Sequence, residues 1–152
     1  MGKIKTISTL KTEISRLKKK GKKIVFTNGC FDLLHPGHLK ILSDAKKKGD
    51  ILIVGINSDS SIKKIKPSGR PILDERARAK ILEALELVDF VVLFKEKTPY
   101  NLIKKIKPDI LVKGGDWGKD QIIGSDLVGK VYRIKLYPGY STTNIINKIK
   151  RA

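Results

Sequence analysis

Apolar residues occur along this chain in two patterns: short dense runs, and longer stretches in which they recur every three or four positions. The dense runs lie at 24–27, 51–56, 90–94 and 110–112, and a fifth, more mixed run covers 131–136. A run that is apolar at consecutive positions is typical of a strand covered on both faces of a parallel sheet. The sequence therefore predicts a sheet of about five parallel strands.

The stretches between the strands carry apolar residues at helical spacing. They predict helices over 8–20, from Leu39 towards Gly49, after caps at Asp74, Thr98 and Ser141, and a short helical turn over 60–65. The helix after Asp74 is predicted to turn Ala77, Ile81, Leu82 and Leu85 inward, and the helix after Thr98 is predicted to begin at Pro99. Strands and helices in alternation predict an open α/β sheet with helices on both faces. In such sheets ligands bind beyond the carboxyl ends of the strands.

Composition agrees with one globular domain over residues 1–152. The chain is 40% hydrophobic and 32% charged, and no repeat, low-complexity tract or linker interrupts it. A domain of ordinary size has roughly 100–200 residues. We therefore expect a single domain with a core of its own.

The net charge of +18 raises the question of a nucleic-acid partner, because clustered cations gain affinity by releasing counterions from phosphates. The lysines are instead spread over the polar side of nearly every predicted helix, and aromatic residues for base stacking are few. This distribution favours solvated faces that attract small anions. A basic nucleic-acid-binding domain is kept as the alternative outside the enzymes.

Cys30 is the only cysteine, so no disulfide can form within the chain. The first residues lack the apolar core of a signal peptide, and no apolar run approaches the roughly 18 residues of a membrane span. We expect a cytoplasmic protein without a membrane partner.

The residues suited to chemistry follow the predicted strands. Both histidines of the chain, His35 and His38, flank Pro36-Gly37 at the start of the second helix. The first amide groups and the dipole of a helix attract anions, and two imidazoles beside them can donate hydrogen bonds to the same phosphates. Gly29 would let a ligand approach the backbone, and the helix start at 141–143 lies after the last strand. The pattern predicts a triphosphate held between two helix N-termini.

Other interpretations of these residues remain open. A zinc site needs three or four ligands, and beside the two histidines only Cys30, Asp32 and Asp116 are at hand, so no metal site formed by protein side chains is predicted. The segment 113–116 could be a simple turn, and 141–143 could be only a helix cap. Trp117 could stack on a base or cover the core.

Taken together, the motifs resemble those of the cytidylyltransferase-like nucleotidyltransferases. Members of that family carry [ST]-x-G-x-F-D-x-x-H-x-G-H after the first strand and S-T-[ST] before the last helix. This chain has TNGCFDLLHPGH at 27–38 and STT at 141–143. Within the family it is most similar to the adenylyltransferase domains of ADP-heptose synthases, whose segments GINSDSSIKKIK, GRPI, VKGGDW and GYSTTNIINKIK appear here in the same order.

The resemblance implies a Rossmann-like sheet of strand order 3-2-1-4-5 and transfer of AMP from ATP to a heptose 1-phosphate, with Mg²⁺ carried by the nucleotide phosphates. His35 and His38 would contact those phosphates and stabilise the transition state. The residues implied for nucleotide binding are Asn28, Gly29, Cys30, Phe31, Gly37, Lys113, Gly114, Asp116, Ser141, Thr142 and Thr143. Those implied near the phosphorylated acceptor are Asp32, Asn57, Asp59, Lys66, Arg70 and Arg78.

One position departs from a neighbouring branch of the family. Glycerol-phosphate cytidylyltransferases have an arginine where this chain has Leu136, which argues against glycerol or choline phosphate as the acceptor. Glycerol 3-phosphate cytidylyl transfer and FMN adenylyl transfer remain the alternatives within the class. For Arg78 the competing role is a surface salt bridge. Related transferases lead us to expect a homodimer, and the sequence contains no kinase domain, so a stand-alone transferase is expected.

Overall fold

The computed structural model of the protein describes residues 2–115, 118 and 121–152. In chain order its elements are α1 (Ile7–Lys19), β1 (Ile24–Gly29), α2 (Pro36–Lys46), β2 (Ile51–Asn57), α3 (Asp59–Ile65), α4 (Glu75–Glu83), β3 (Phe90–Phe94), α5 (Tyr100–Ile106), β4 (Ile110–Gly114), β5 (Lys130–Ile134) and α6 (Thr142–Arg151). A short 3₁₀ helix, Ser125–Leu127, precedes β5. None of the described helices is both long enough and apolar enough to cross a membrane.

The strands form one parallel sheet in the order β3-β2-β1-β4-β5. The predicted sheet and its strand order are therefore confirmed. The order reverses between β1 and β4, which pair at Val25–Ile110 and Phe26–Leu111. Beyond this point the carboxyl ends of the two central strands leave a crevice, which is where ligands bind in open α/β sheets.

Alternate residues of each strand feed two separate cores, because successive side chains of a strand point to opposite faces. Val25, Leu52 and Val112 pack with Leu42 of α2 and Leu82 of α4 on one face. On the other face, Phe26, Ile53 and Leu111 pack with residues of α1 and α5. Burial on both faces explains why the central strands are almost wholly apolar.

Three local expectations differ from the structure. On α4, Ile81 is 38% exposed and Arg78 is fully buried in its place, because Arg78 finds hydrogen-bond partners below the helix. Pro99 caps α5 as the residue before its first turn, so the helix begins one residue later than predicted. β5 ends at Ile134, and Leu136 beyond it is 55% exposed.

Candidate functional site

The loop from β1 to α2 makes a tight path that brings both histidines to the crevice. Phe31 and Leu33 have φ angles of 51° and 50°, in the left-handed region that residues with side chains seldom adopt. Such conformations persist only where the surroundings hold them, and they concentrate at functional sites. The chain then enters α2 through His35 as its N-cap and Pro36 as its first residue.

His35 and His38 form a reciprocal cap at the start of α2. Gly37 N–H donates to His35 Nδ1 over 3.1 Å, and His35 N–H donates to His38 Nδ1 over 3.2 Å. A nitrogen that accepts a hydrogen bond carries no proton, so each neutral ring has its proton on Nε2. Among the described residues neither Nε2–H has a protein partner. Both rings are therefore free to donate to a ligand.

The two imidazoles lie almost against each other and are held neutral. Their ring centroids are 3.8 Å apart with an interplanar angle of 31°. Burial lowers the pKa of His35, and it lowers the pKa of His38 to about 4, with repulsion from a protonated His35 as the second cause. At neutral pH the pair therefore offers two uncharged donors.

Gly37 allows this arrangement because the His35 ring folds over it. A Cβ placed on Gly37 would lie 2.8 Å from His35 Cε1 and 3.0 Å from Nδ1. Any larger residue would push the ring away from its cap.

A cleft of about 340 Å³ opens above the histidine pair. Most of the predicted residues meet there: Cys30, Phe31, Asp32, His35, Gly37, His38, Lys66, Arg70, Ser141, Thr142 and Thr143. Ser141 caps α6 by accepting from Asn144 N–H over 3.0 Å, so the N-terminus of a second helix borders the cleft as predicted. The cleft thus combines two helix starts, two imidazoles and two cationic side chains.

Asp32 connects the walls of this cleft. It is 3% exposed, and its carboxylate accepts from Ile72 N–H over 2.6 Å and Leu73 N–H over 3.0 Å. Its backbone carbonyl accepts from Thr142 Oγ1 over 2.8 Å. Both carboxylate oxygens are already used, so within the described structure Asp32 holds the 66–73 loop beside the histidines. Its contact with an acceptor stays a prediction.

Arg70 reaches from that loop to the opposite wall. Its Nη2 donates to Thr143 Oγ1 over 3.0 Å. Arg70 and Lys66 are the cations that line the cleft among the described residues. Leu136, the position at which the related cytidylyltransferases have an arginine, lines the same cleft.

Three residues expected near the acceptor lie behind the cleft wall. Arg78 is fully buried and bonds to Cys30 O just after β1 and to Asn57 O at the end of β2, which excludes a surface salt bridge as its role. Asn57 is 4% exposed, and its amide donates to Ser61 Oγ over 3.0 Å. Asp59 accepts from Arg78 Nη2 over 2.8 Å. Contact between these side chains and an acceptor stays a prediction.

Asn28 and Lys113 line a different pocket, of about 290 Å³, together with Pro99, Gln121, Ile122 and Ile123. Lys113 Nζ donates to Asn28 O over 3.1 Å, and no carboxylate of a described residue lies within ion-pair distance of it. Burial lowers the pKa of this ammonium, and Lys66 lowers it further. A desolvated cation at a pocket wall without an acidic partner is suited to an anionic ligand.

The remaining predicted residues have other surroundings. Gly29 lies against the Phe31 ring, which a Cβ would approach to 3.1 Å, and Gly114 lies beneath Ile41. Asp116 falls outside the described residues, as does Trp117. Burial raises the pKa of Cys30, whose thiol is 3.9 Å from Asn57 Oδ1.

Two tyrosines of the cleft were not among the predicted site residues. The ring centroids of Tyr140 and His35 are 6.4 Å apart, with an interplanar angle of 18°. The ring centroids of Tyr137 and Tyr140 are 5.5 Å apart. Both are about half exposed and line the cleft. Tyr140 directly precedes the S-T-T segment and Tyr137 lies four positions before Ser141. This proximity is the signal in the sequence, since exposed aromatic rings beside a nucleotide site can stack on a base.

The described residues contain no group of three or more His, Cys, Asp or Glu side chains arranged to hold a metal ion. The acidic residue of the cleft among them is Asp32, whose carboxylate is occupied by two backbone donors. A metal ion in this cleft would therefore depend on a ligand for most of its oxygen donors.

The fold and the cleft together define an α/β protein with a polar cleft at the start of α2, beyond the carboxyl ends of the central strands. Residues 26–148 match the cytidylyltransferase-like family, and the chain belongs to that family. This match confirms the predicted family and the predicted nucleotidyltransferase class. It also agrees with the Rossmann-like fold that the sheet shows.

Curated relatives point to one branch. The Bifunctional protein HldE of Campylobacter fetus subsp. fetus is 56% identical over 138 residues, covering 91% of this chain and 30% of that protein. The protein of the same name from Aliarcobacter butzleri is 51% identical over 147 residues, covering 97% and 31%. The chain therefore spans less than a third of the length of these relatives.

Two solved structures share the fold of this chain. The lipopolysaccharide core biosynthesis protein from Thermoplasma volcanium is 32% identical with a TM-score of 0.66, covering 77% of this chain and 99% of that one. The pantothenate synthetase from Thermus thermophilus is 15% identical with a TM-score of 0.64, covering 99% and 70%, and this likeness shows the fold alone.

Proposed function

We propose that this chain transfers the AMP part of ATP to a sugar 1-phosphate, D-glycero-D-manno-heptose 1-phosphate, giving ADP-heptose and pyrophosphate for a lipopolysaccharide core or a related heptose pathway. The observation that carries the proposal is the pair of neutral imidazoles at the start of α2, each with a free Nε2–H. Identity of about half to the HldE proteins supports the heptose branch.

The triphosphate would lie in the histidine cleft. The starts of α2 and α6 contribute amide groups and the positive ends of two helix dipoles. Lys66 and Arg70 add positive charge from the 66–73 loop. Tyr137 and Tyr140 offer ring faces to the adenine.

The reaction requires the two substrates to be aligned, and it requires little activation of the nucleophile. A phosphate oxygen of the sugar 1-phosphate attacks the α-phosphorus of ATP, the bond from that phosphorus to the bridging oxygen breaks, and pyrophosphate leaves with the electron pair. The nucleophile is already an anion at neutral pH, so no protein base and no covalent intermediate are required. The chain would supply in-line placement and donors for the charge that develops on the departing oxygens.

The acceptor would approach from the Lys113 pocket. Its ammonium lacks an acidic partner among the described residues. It donates to Asn28 O near the end of β1, the strand whose loop leads to the cleft that Lys66 lines. The acceptor phosphate would be held by these two lysines, and the sugar would fill the pocket beside Asn28. Both substrates would then meet at the carboxyl end of β1.

Magnesium would enter as the complex with the ATP phosphates, since the cleft offers few free oxygen donors of its own. A homodimer remains part of the proposal as the assembly expected from the sequence.

The test is a panel of pyrophosphate-release assays that crosses ATP, CTP and GTP with heptose 1-phosphate, glycerol 3-phosphate and FMN. The proposal expects release with ATP and heptose 1-phosphate well above every other pair. Release that requires CTP and glycerol 3-phosphate would replace it with the cytidylyl alternative. Absence of release from every pair, with salt-sensitive retention on DNA, would favour a nucleic-acid-binding domain.

A further inference from the structure

Arg78 is the largest fully buried side chain of the described structure, and its surroundings are unusual for a cation. It is 0% exposed, and among the described residues its acidic partner is Asp59. Burying a guanidinium is costly unless its donors are satisfied. What satisfies them is therefore informative about its role.

The guanidinium bonds mainly to backbone carbonyls at strand ends. Nη1 donates to Cys30 O and to Asn57 O, both over 2.8 Å. Nε donates to Leu73 O over 3.0 Å, and Nη2 donates to Asp59 Oδ1 over 2.8 Å. One side chain thus connects the segment after β1, the segment after β2 and the loop before α4.

Each of these segments carries residues of the proposed site. Cys30 begins the loop that leads to the histidine pair, and it lines the cleft. The loop that ends at Leu73 carries Lys66 and Arg70 into the same cleft. Three of the four Arg78 bonds go to backbone carbonyl groups, and the fourth goes to Asp59.

We propose that Arg78 is a positioning residue, which fixes the spacing between the histidine loop and the 66–73 loop by binding the carbonyl groups of Cys30, Asn57 and Leu73. This inference rests on the proposed function, and it replaces a direct substrate contact of Arg78 with an indirect role. A planar guanidinium has five donors in fixed directions and can reach all of these carbonyls at once. A lysine ammonium is a compact point charge and cannot span them.

The test compares Arg78→Lys with Arg76→Lys. Arg76 lies on the same helix and is exposed, so its variant controls for the substitution itself. Two quantities are measured at a temperature where circular dichroism shows every variant folded. The first is kcat and KM for ATP and acceptor, and the second is the rate at which Cys30, the only thiol, reacts with a thiol reagent.

For Arg78→Lys we expect kcat to fall by about 10–100-fold, since misplacement by an ångström costs that much. KM for ATP should stay within about threefold, because no ATP contact is removed. Cys30 should react at least roughly fivefold faster, since its loop opens more often. The Arg76→Lys control should match the wild type in both measurements.

A folded Arg78→Lys protein with kcat and Cys30 reactivity within twofold of the control would overturn the inference. If that variant does not fold, Arg78→Gln serves instead, since its amide keeps two donors. Failure of both to fold would show a requirement for folding and would also overturn it. The Cys30 measurement needs no turnover, so it decides the loop positioning even if the wild type releases no pyrophosphate and the proposed function fails.

Discussion

His35 has two separable roles, and two substitutions can distinguish them. Its Nδ1 caps α2, and its Nε2–H is free for a phosphate. His35→Ala removes both functions. His35→Asn removes the Nε2–H donor but keeps an oxygen near the position of Nδ1, and asparagine is among the preferred N-cap residues.

The two losses differ in size and in kind. Loss of an N-cap costs about 1 kcal/mol of stability, with a range of roughly 0.5–2. Loss of one transition-state donor lowers kcat by about 10²–10³-fold, or ~3–4 kcal/mol in the activation barrier. We therefore expect both variants to lose at least ~10²-fold in kcat, and only His35→Ala to lose about 1 kcal/mol in the free energy of unfolding.

Thr6→Ala is the matched control. Thr6 caps α1 by accepting from Thr9 N–H over 3.2 Å, and it lies in the part of the fold that does not border the cleft. Its variant should lose about 1 kcal/mol in stability with turnover unchanged. Stability comes from urea unfolding and turnover from pyrophosphate release. Normal turnover of His35→Asn would refute the phosphate-donor role, and unchanged stability of His35→Ala would refute the cap.

Three further predictions follow from the same geometry. Because burial lowers the pKa of His38 to about 4, the unfolded chain binds more protons between that value and 6.5, so the stability of wild type relative to His38→Asn should fall as pH falls through this window. The expected loss in the free energy of unfolding is at most ~3 kcal/mol, and nearer ~1–2 kcal/mol once the partial exposure of the ring is taken into account. If urea unfolding gave the same pH dependence for wild type and His38→Asn, the prediction would be contradicted. Asp32→Asn replaces one carboxylate oxygen by a donor, so a backbone N–H of the 66–73 loop loses its acceptor and thermal unfolding should show about 1–3 kcal/mol less stability. Gly37→Ala should lower kcat about 10²-fold, because the new methyl group displaces the His35 ring, even though alanine favours the helix. Gly114→Ala is the control: its methyl group would meet the end of the flexible Ile41 side chain, so turnover should drop much less.

The sequence predicts most of the fold because the evidence for it is local. Dense apolar runs and helical stripes identify the strands and helices, and the position of Pro36-Gly37 identifies the start of α2. The meeting of the two helix starts at one cleft follows from the rule that parallel strands end at one edge. These features need no knowledge of which side chains finally touch.

Arg78 and Lys113 show where local evidence ends. Arg78 lies beside Ala79 on the inward face of α4. Its charge is compensated there by carbonyl groups and by the Asp59 carboxylate, which the tertiary fold brings together. The resemblance implies that Lys113 binds the nucleotide, and in the structure its side chain lines a pocket separate from the histidine cleft. Side chains alternate along a strand, and Lys113 shares the face of Leu111, so it lines the other pocket. The alternation of side chains along β4 can be read from the sequence, whereas the carbonyl groups that surround Arg78 cannot.

The division of charge within the site suggests how binding and catalysis are separated. Permanent cations, Lys66 and Arg70, lie on the 66–73 loop, while the groups at the start of α2 are imidazoles kept neutral by burial. A permanent cation stabilises the bound triphosphate and the transition state alike, and uniform stabilisation does not raise kcat. A neutral Nε2–H attracts a ground-state oxygen moderately and gains strength as negative charge accumulates on the departing pyrophosphate. Replacing His38 by lysine should therefore tighten ATP binding while lowering kcat, and tighter binding with equal or higher kcat would show that charge alone is sufficient there.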